Sequence, residues 1–449
     1  MKRSLLFLIL LSWFSPLAAQ YYSVSGGSGV PLLADSIPNF LEVYLLNGLS
    51  NAQISFTSSN PGKHQWYKYQ KGAINDATPI TNSIQTGNTS TISGADIQDG
   101  FGYFVGSPTE VLPHYVWIID YSRHIPHFSD LQIEDNEYKC TLLNLLATVD
   151  GNTGPIAYYS PTGAIKFLNR IFHLQYDSLY WEEGIKQFAL KQGNMEIPGP
   201  VSEITVEPPP LTDTRFTLTG DQFAEHFGMQ QSIASADYQA VAVEAHYTAE
   251  TNRTFSDNEI HNSGDVLGGS APINYTFTAY ANDPVAALYI WKISQLDSAT
   301  NTYNSIVRYP DKVLQYTFEK NGTYAVALEV SDVQSICVDT TVNFKIVIDN
   351  TVMKIPNVFT PGSSIGANDI LKVAFTSVTS FKATVLNRWG NMLFQWTDPS
   401  KGWDGRVNGK FAPTGVYYVI VEYKDSNGKN RSMSRAVNLL RSNDANLNQ

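Results

Sequence analysis

Cysteine is nearly absent: among 449 residues only Cys140 and Cys337 occur. That excludes a disulfide scaffold, so each domain must be held by its own apolar core, with both cysteines expected on buried strands of separate domains and a disulfide between those domains as the alternative. Charged residues are sparse at 16 %, and no run of basic residues exists that would track a nucleic acid backbone. After residue 14 no apolar stretch approaches the ~20 residues of a membrane-spanning helix. Chemical signatures are missing as well. There is no His-Glu-x-x-His, no Gly-x-Ser-x-Gly and no phosphate-cradling glycine loop before a helix. His114, His124 and His127 fall within fourteen residues, yet without the closely spaced Cys or carboxylate partners that zinc takes. They read as strand-end and loop residues. Glu182 and Glu183 beside Trp181 could be mistaken for glycosidase carboxylates. Neighbouring residues of a strand point to opposite faces, however, while such carboxylates converge across a cleft. The chain therefore reads as non-enzymatic, with no catalytic residue, no cofactor and no metal site.

What the chain does have is aromatic: 12 % Phe, Trp and Tyr, with 25 tyrosines. Tyr-rich, alternating segments punctuated by Gly and Pro describe all-β domains. Lys2 and Arg3 precede an apolar run from Leu5 to Phe14 and the small-residue stretch Ser15 to Gln20. This is the pattern of a signal peptide, 1–19, cut after Ala19. The remaining length accommodates three or four domains at about 100–200 residues each.

The first domain is expected over 20–123. Trp66 in His64–Tyr69 and Tyr103, four residues after Asp99, resemble the strand C tryptophan and the tyrosine corner of immunoglobulin-like sandwiches, both packing in the core. A second immunoglobulin-like domain is placed at 124–210, with Pro208-Pro209-Pro210 as a stiff connector. A third occupies 211–350, opening with a short helix around Asp221–Phe227. Tyr289, Trp291 and Ile293 share one face there, as do Tyr324, Val326, Leu328 and Val330, and Val342, Phe344, Ile346 and Ile348 form a further stripe. Tyr316–Val326 followed by Val330-Ser331-Asp332 resembles the PKD repeat of surface proteins, over Ala271–Asn350, which implies an extracellular spacer or adhesion module.

Residues 355–441 form the last domain, followed by a tail at 442–449. Strand-period runs over 381–386 and 416–423 alternate with the turn signals Trp389-Gly390-Asn391, Trp403-Asp404-Gly405, Asn408-Gly409, Pro413-Thr414-Gly415 and Asn427-Gly428. Four ordered motifs carry a resemblance: Asn387-Arg388-Trp389-Gly390, Gly402-Trp403-Asp404-Gly405, Pro413 to Gly415 and Tyr417, and Leu440-Arg441. They resemble the gliding-motility-associated C-terminal domain, the type B sorting domain of the type IX secretion system of Bacteroidota. The resemblance implies passage through the type IX translocon, display at the outer-membrane surface or release, and docking to an outer-membrane barrel of the PorP/SprF type. The family's loop after Phe-Thr-Pro is acidic. Here Phe359-Thr360-Pro361 retains only Asn368 and Asp369 of it, too few oxygen ligands for a hard cation.

Charge separates along the chain. Residues 355–449 carry eleven Lys and Arg against six Asp and Glu, a net of +5, and the remainder carries −16. A basic final domain suits an acidic partner surface. The expected architecture is thus tandem immunoglobulin/PKD-like β-sandwiches ending in a β-sandwich sorting domain. The expected role is that of a structural accessory of the secretion or gliding apparatus, or an adhesin. Two alternatives are an array of carbohydrate-binding modules, with Tyr158, Tyr159, Tyr180 and Trp181 as stacking rings for a surface glycan, and a hydrolase within 124–207. Asp35-Ser36-Ile37, Asp177-Ser178-Leu179 and Asp297-Ser298-Ala299 resemble an O-glycosylation tripeptide.

Overall fold

A computed structural model describes residues 21–58, 63–72, 74–106, 114–260, 267–363 and 366–441. The expected signal peptide and the tail at 442–449 lie outside the described residues. By its contacts the chain divides into two compact units. One contains the residues up to Ser178 and Leu190–Gln239, the other Leu179–Ala189 and Ala240 onward. Both are stacks of β-sheets, and Gln222–His226 is the single α-helix among the described residues.

In the first unit, a four-stranded sheet runs in the order Tyr21–Ser25, Gln53–Thr57, Thr89–Ser93, Ile84–Thr86. Its partner has six strands, in the order Leu32–Ile37, Leu41–Leu46, Tyr115–Asp120, Phe101–Val105, Trp66–Tyr69, Thr78–Ile80. Tyr22, Ile54, Phe56 and Ile92 meet Leu46, Trp66, Tyr103, Val116 and Ile118 in one core. Trp66 is fully buried, and its indole donates to Ser90 Oγ at 2.8 Å. The Tyr103 hydroxyl accepts from Gln98 N at 2.7 Å and donates to Asp96 O at 3.3 Å, which makes the expected corner.

The second sandwich pairs a three-stranded sheet, His127–Glu134, Leu143–Asp150, Glu203–Val206, with a four-stranded one, Gln187–Pro198, Ile171–Glu182, Thr214–Thr219, Ser232–Tyr238. This moves the expected boundary at residue 210. The triple proline carries the chain from the three-stranded to the four-stranded sheet of one sandwich, and Pro209 and Pro210 are buried, unlike the residues of an exposed connector. The strand beyond it, Thr214–Thr219, pairs with Ile171–Glu182 through Leu174 opposite Leu218. The cysteines also depart from expectation. Cys140 is half-buried in a turn, and Cys337 is buried in the bend before Val338–Asp339. That bend is set by Asp332, whose carboxylate accepts from Gln334 N at 2.9 Å and Cys337 N at 2.7 Å. Neither cysteine is a free thiol.

Within the first unit the six-stranded sheet is covered on both faces. Strand Tyr115–Asp120 is buried at every position, so it carries no polar face. Its second face, with Tyr115, Trp117 and Ile119, packs on Ile156 and Tyr158, on Leu168, and on Phe223 and Ala224 of the helix. One buried polar cluster holds these pieces together. Asp221, sealed from solvent, pairs with the equally sealed Arg170. It also accepts from the Tyr121 hydroxyl at 2.5 Å and, as the helix N-cap, from Ala224 N at 2.9 Å. Arg170 also donates from Nη1 to the carbonyl of Asn152 and from Nη2 to that of His124.

The second unit contains two cores. In the first, a three-stranded sheet of Ala245–Glu250, Ile273–Ala281 and Val313–Phe318 opposes a larger one. The larger sheet sets Trp291 beside Leu328, Ile293 beside Val326 and Tyr289 beside Val330, all buried. The Tyr324 hydroxyl donates to Lys320 O at 2.8 Å, a corner of the same kind as at Tyr103. The other core belongs to a five-stranded sheet in the order Val358–Phe359, Asn430–Leu439, Gly415–Asp425, Val378–Leu386, Met392–Trp396, covered by short two-stranded ribbons.

These two sandwiches are joined by more than the chain passing between them. Residues 258–260 of the first meet the edge of the second at a single bridge. Glu259 bridges Phe375 in parallel, Ile260 N donates to Phe375 O at 2.7 Å, and Phe375 N donates to Asn258 O at 3.1 Å. The Asn258 side chain donates to Val373 O at 2.7 Å and Pro399 O at 2.8 Å. Buried Ser270 and Ser377 exchange bonds across the same seam: Ser377 N donates to Ser270 Oγ at 2.7 Å and Ala271 N to Ser377 Oγ at 3.0 Å.

Three substitutions probe these contacts. Asp221→Ala leaves a buried guanidinium and a buried phenol unmatched, and costs about 3–5 kcal/mol in denaturant unfolding of the full chain. Tyr121→Phe removes one bond and costs about 1 kcal/mol. Asn258→Ala strips two carbonyls of their donor and costs about 1–3 kcal/mol. Hydrogen exchange at 373–376 should then accelerate while that of Trp291–Ile293 stays slow. Unchanged exchange at 373–376 would show that the seam does not hold the edge.

Candidate functional site

The C-terminal sandwich gathers its sequence motifs at one end of its sheet, and strand register does the gathering. Leu386 lies opposite Tyr418, and Gly415 opposite Leu439. The end of Val378–Leu386, the start of Gly415–Asp425 and the end of Asn430–Leu439 therefore meet at one pole. Asn387 to Gly390, Pro413 to Tyr417 and Leu440-Arg441 are brought there from positions more than fifty residues apart. Trp403 joins beneath, its ring centroid 5.4 Å from Tyr417 and 5.3 Å from Phe359.

Most of the motif residues build this pole. Trp403 is fully buried and donates to Arg406 O at 2.8 Å. Asp404 shapes the turn by accepting from Arg406 N at 3.0 Å. Gly405 sits at φ +78°, where a Cβ would fall 2.6 Å from Pro361 Cγ, so no other residue fits. The buried Tyr417 donates to Pro413 O at 2.7 Å, a third tyrosine corner, and Gly415 starts the strand it stands on. Asn387 makes the neighbouring turn: its side-chain oxygen accepts from Trp389 N at 3.0 Å and Asn391 N at 2.9 Å. Gly390 closes that turn at φ +84°.

The other motif residues are left outside. Trp389 is 71 % exposed. The Arg388 guanidinium lies over its ring at 4.2 Å from the centroid. Leu440 is exposed, and the Arg441 guanidinium sits 4.4 Å from the Phe411 ring, which Arg406 also approaches, at 3.9 Å. Beside them the outer sheet face carries residues not singled out from sequence. Met392 (62 % exposed), Leu386 and Tyr418 form a cross-strand row, with exposed Val416 next to it. A signal for this was present: Val416 to Val421 are six apolar residues in succession. Both faces of that strand are therefore apolar, and only one can point into the core.

The remaining candidates are dispersed. Tyr158 is buried and Tyr159 packs near Trp117, 5.9 Å between centroids. Trp181, in the second unit, is stacked on His246 at 4.3 Å, and its indole donates to Glu183 at 2.7 Å. Of the four proposed stacking rings only Tyr180 is exposed. The His127 ring bonds Gln231 at 3.2 Å, while His124 contributes its carbonyl to Arg170. Among the described residues no three His, Cys, Asp or Glu side chains gather as metal ligands. Asp369 accepts from Gly366 N at 2.7 Å, and residues 364–365 of its loop lie outside the described residues. Ser178 is buried and accepts from Leu211 N at 3.1 Å, whereas Ser36 and Ser298 are exposed.

Comparison with known proteins agrees with this architecture. Residues 132–235 match the fibronectin type III domain, a β-sandwich in keeping with the immunoglobulin-like expectation for this part of the chain, and the match spans the triple proline. Residues 353–437 match the CHU_C Type IX secretion signal domain. Among curated proteins none matches the chain. Similar solved structures include the tetra-tandem repeat in the extending region of a large adhesion protein, at 13 % identity over 89 % of this chain and 99 % of that one, TM-score 0.23. The FN1–FN3 domains of chicken CNTN1 match at 9 % identity over 70 % and 99 %, TM-score 0.26. The four N-terminal Ig domains of Dscam1 isoform 4.4 match at 10 % over 94 % and 100 %, TM-score 0.21. Such loose superpositions carry no argument. The matched domains do: tandem β-sandwiches, one of them of the fibronectin type III kind, end in a type IX secretion signal domain, and the protein is exported to the cell surface or the extracellular space.

Proposed function

We propose that the protein is a non-enzymatic component of the cell surface, sent out by the type IX translocon. In this reading it is a structural accessory of the secretion or gliding apparatus, or an adhesin, and docks through its C-terminal sandwich to an outer-membrane barrel of the PorP/SprF type. The observation that carries this reading is the secretion signal domain at 353–437. The seam at Asn258, Ser270 and Ser377 supports it as well, because it makes the signal part of the body it accompanies. The sealed Arg170–Asp221 pair serves packing.

Removal of 355–449 tests the reading in a host with a type IX system. The shortened chain is expected in the periplasm, with the full chain accessible to protease on intact cells. Normal display of the shortened chain would sink the docking role. A panel of ester, glycoside and peptide substrates offered to the purified full chain is expected to show no turnover.

A further inference from the structure

The exposed pole has properties its fold does not require. Asn387, through its side-chain oxygen, and Gly390, through its positive φ, set the turn, which makes no demand on the side chains between them, yet one of these is an exposed Trp. Met392 and Tyr418 flank Leu386 in a cross-strand row, Val416 stands exposed two residues before Tyr418, and Trp389 is exposed in the adjoining turn; such apolar surface is retained where something covers it. Its charge is equally uneven. Elsewhere on the same sheet Lys382 is paired with Glu422 at 2.8 Å and Arg431 with Asp425 at 3.0 Å, while Lys424 has no carboxylate partner among the described residues. At the pole, Arg388 and Arg441 rest on aromatic rings, and among the described residues neither has a carboxylate partner. A guanidinium held over a ring keeps its N–H fork preorganised for a carboxylate.

We propose that this pole is the surface on which the signal is read. Its occupant is a partner protein surface with an apolar centre, which covers Trp389, Met392 and Tyr418, and a carboxylate rim that pairs with Arg388 and Arg441. The proposal rests on the docking role above and assigns it to one end of one sheet. Uncompensated cations around an apolar centre select an acidic partner and steer its approach, in the manner of complementary interfaces with an aromatic anchor.

The test uses the full chain in a type IX host, with export measured as the protease-accessible fraction on intact cells. Two pole variants are compared, Trp389→Ser with Tyr418→Ser, and Arg388→Glu with Arg441→Glu. Lys424→Glu at the far end of the sheet is the control, and a chain lacking 355–449 is the reference. Both pole variants are expected to lose display at least about tenfold, in line with loss of hot-spot contacts. Their melting temperatures should match the parent, and the control should be displayed normally. Display of both pole variants while the shortened chain is trapped overturns the pole assignment and leaves the docking role intact. Display of the shortened chain overturns the docking role itself. If a pole variant melts early, the exposed single change Arg388→Glu decides in its place. A parent chain that dimerises in solution, with the dimer lost in the pole variants and export unaffected, assigns the surface to a second copy and refutes the proposal.

Discussion

A carboxylate sealed from water has to be answered by donors, and Asp221 is answered by three. Arg170, Tyr121 and the amide of Ala224 come from separate stretches of chain, and Arg170 adds the carbonyls of His124 and Asn152. Satisfying one buried charge thus fixes the end of strand Tyr115–Asp120, the exit from it, the approach to strand Ile171–Glu182 and the start of the helix. The apolar consequence is larger than the ion pair. With these segments in place, the outer face of the six-stranded sheet acquires a second core, around Tyr115, Trp117 and Tyr158. The pair itself contributes little net energy against an apolar replacement, but removing half of it exposes that second core to rearrangement.

The second unit solves a related problem with neutral groups. An open sheet edge is a template for unwanted pairing, and proteins cover it. Here the edge beside Phe375 is covered by 258–260 of the preceding sandwich, and the buried hydroxyls of Ser270 and Ser377 each accept a backbone N–H across the seam. The secretion signal domain is thus bonded to the sandwich immediately before it. That arrangement suits a protein whose folded surface is the product delivered.

Function then concentrates where the fold has no further demands. The buried motif residues, Trp403 and Tyr417 with the turn residues Asp404 and Gly405, account for a stable sandwich. The exposed ones do not contribute to its core. Two kinds of residue thus share one signature, and sequence spacing alone does not separate them. Burial does.

Periodicity and turn residues were enough to show an all-β chain, because a strand's faces alternate residue by residue and Trp66, Trp291 and Phe381 fall on buried faces as their patterns require. The motifs of 387–441 were equally legible, since turns impose Gly and Asn locally: Gly405 and Gly390 stand where φ is positive. The boundary at the triple proline was not legible, because proline stiffness reads the same in a linker and in a crossover between two sheets. The placement of Cys337 in a bend escaped for a like reason: Asp332 makes that bend through side-chain acceptance that no pattern announces. Sequence by itself thus determined the strands, the turns and the signature. Only the tertiary structure decided which residues share a pole, which charges are sealed and which rings face water, because those depend on register and on contacts between segments far apart in the chain.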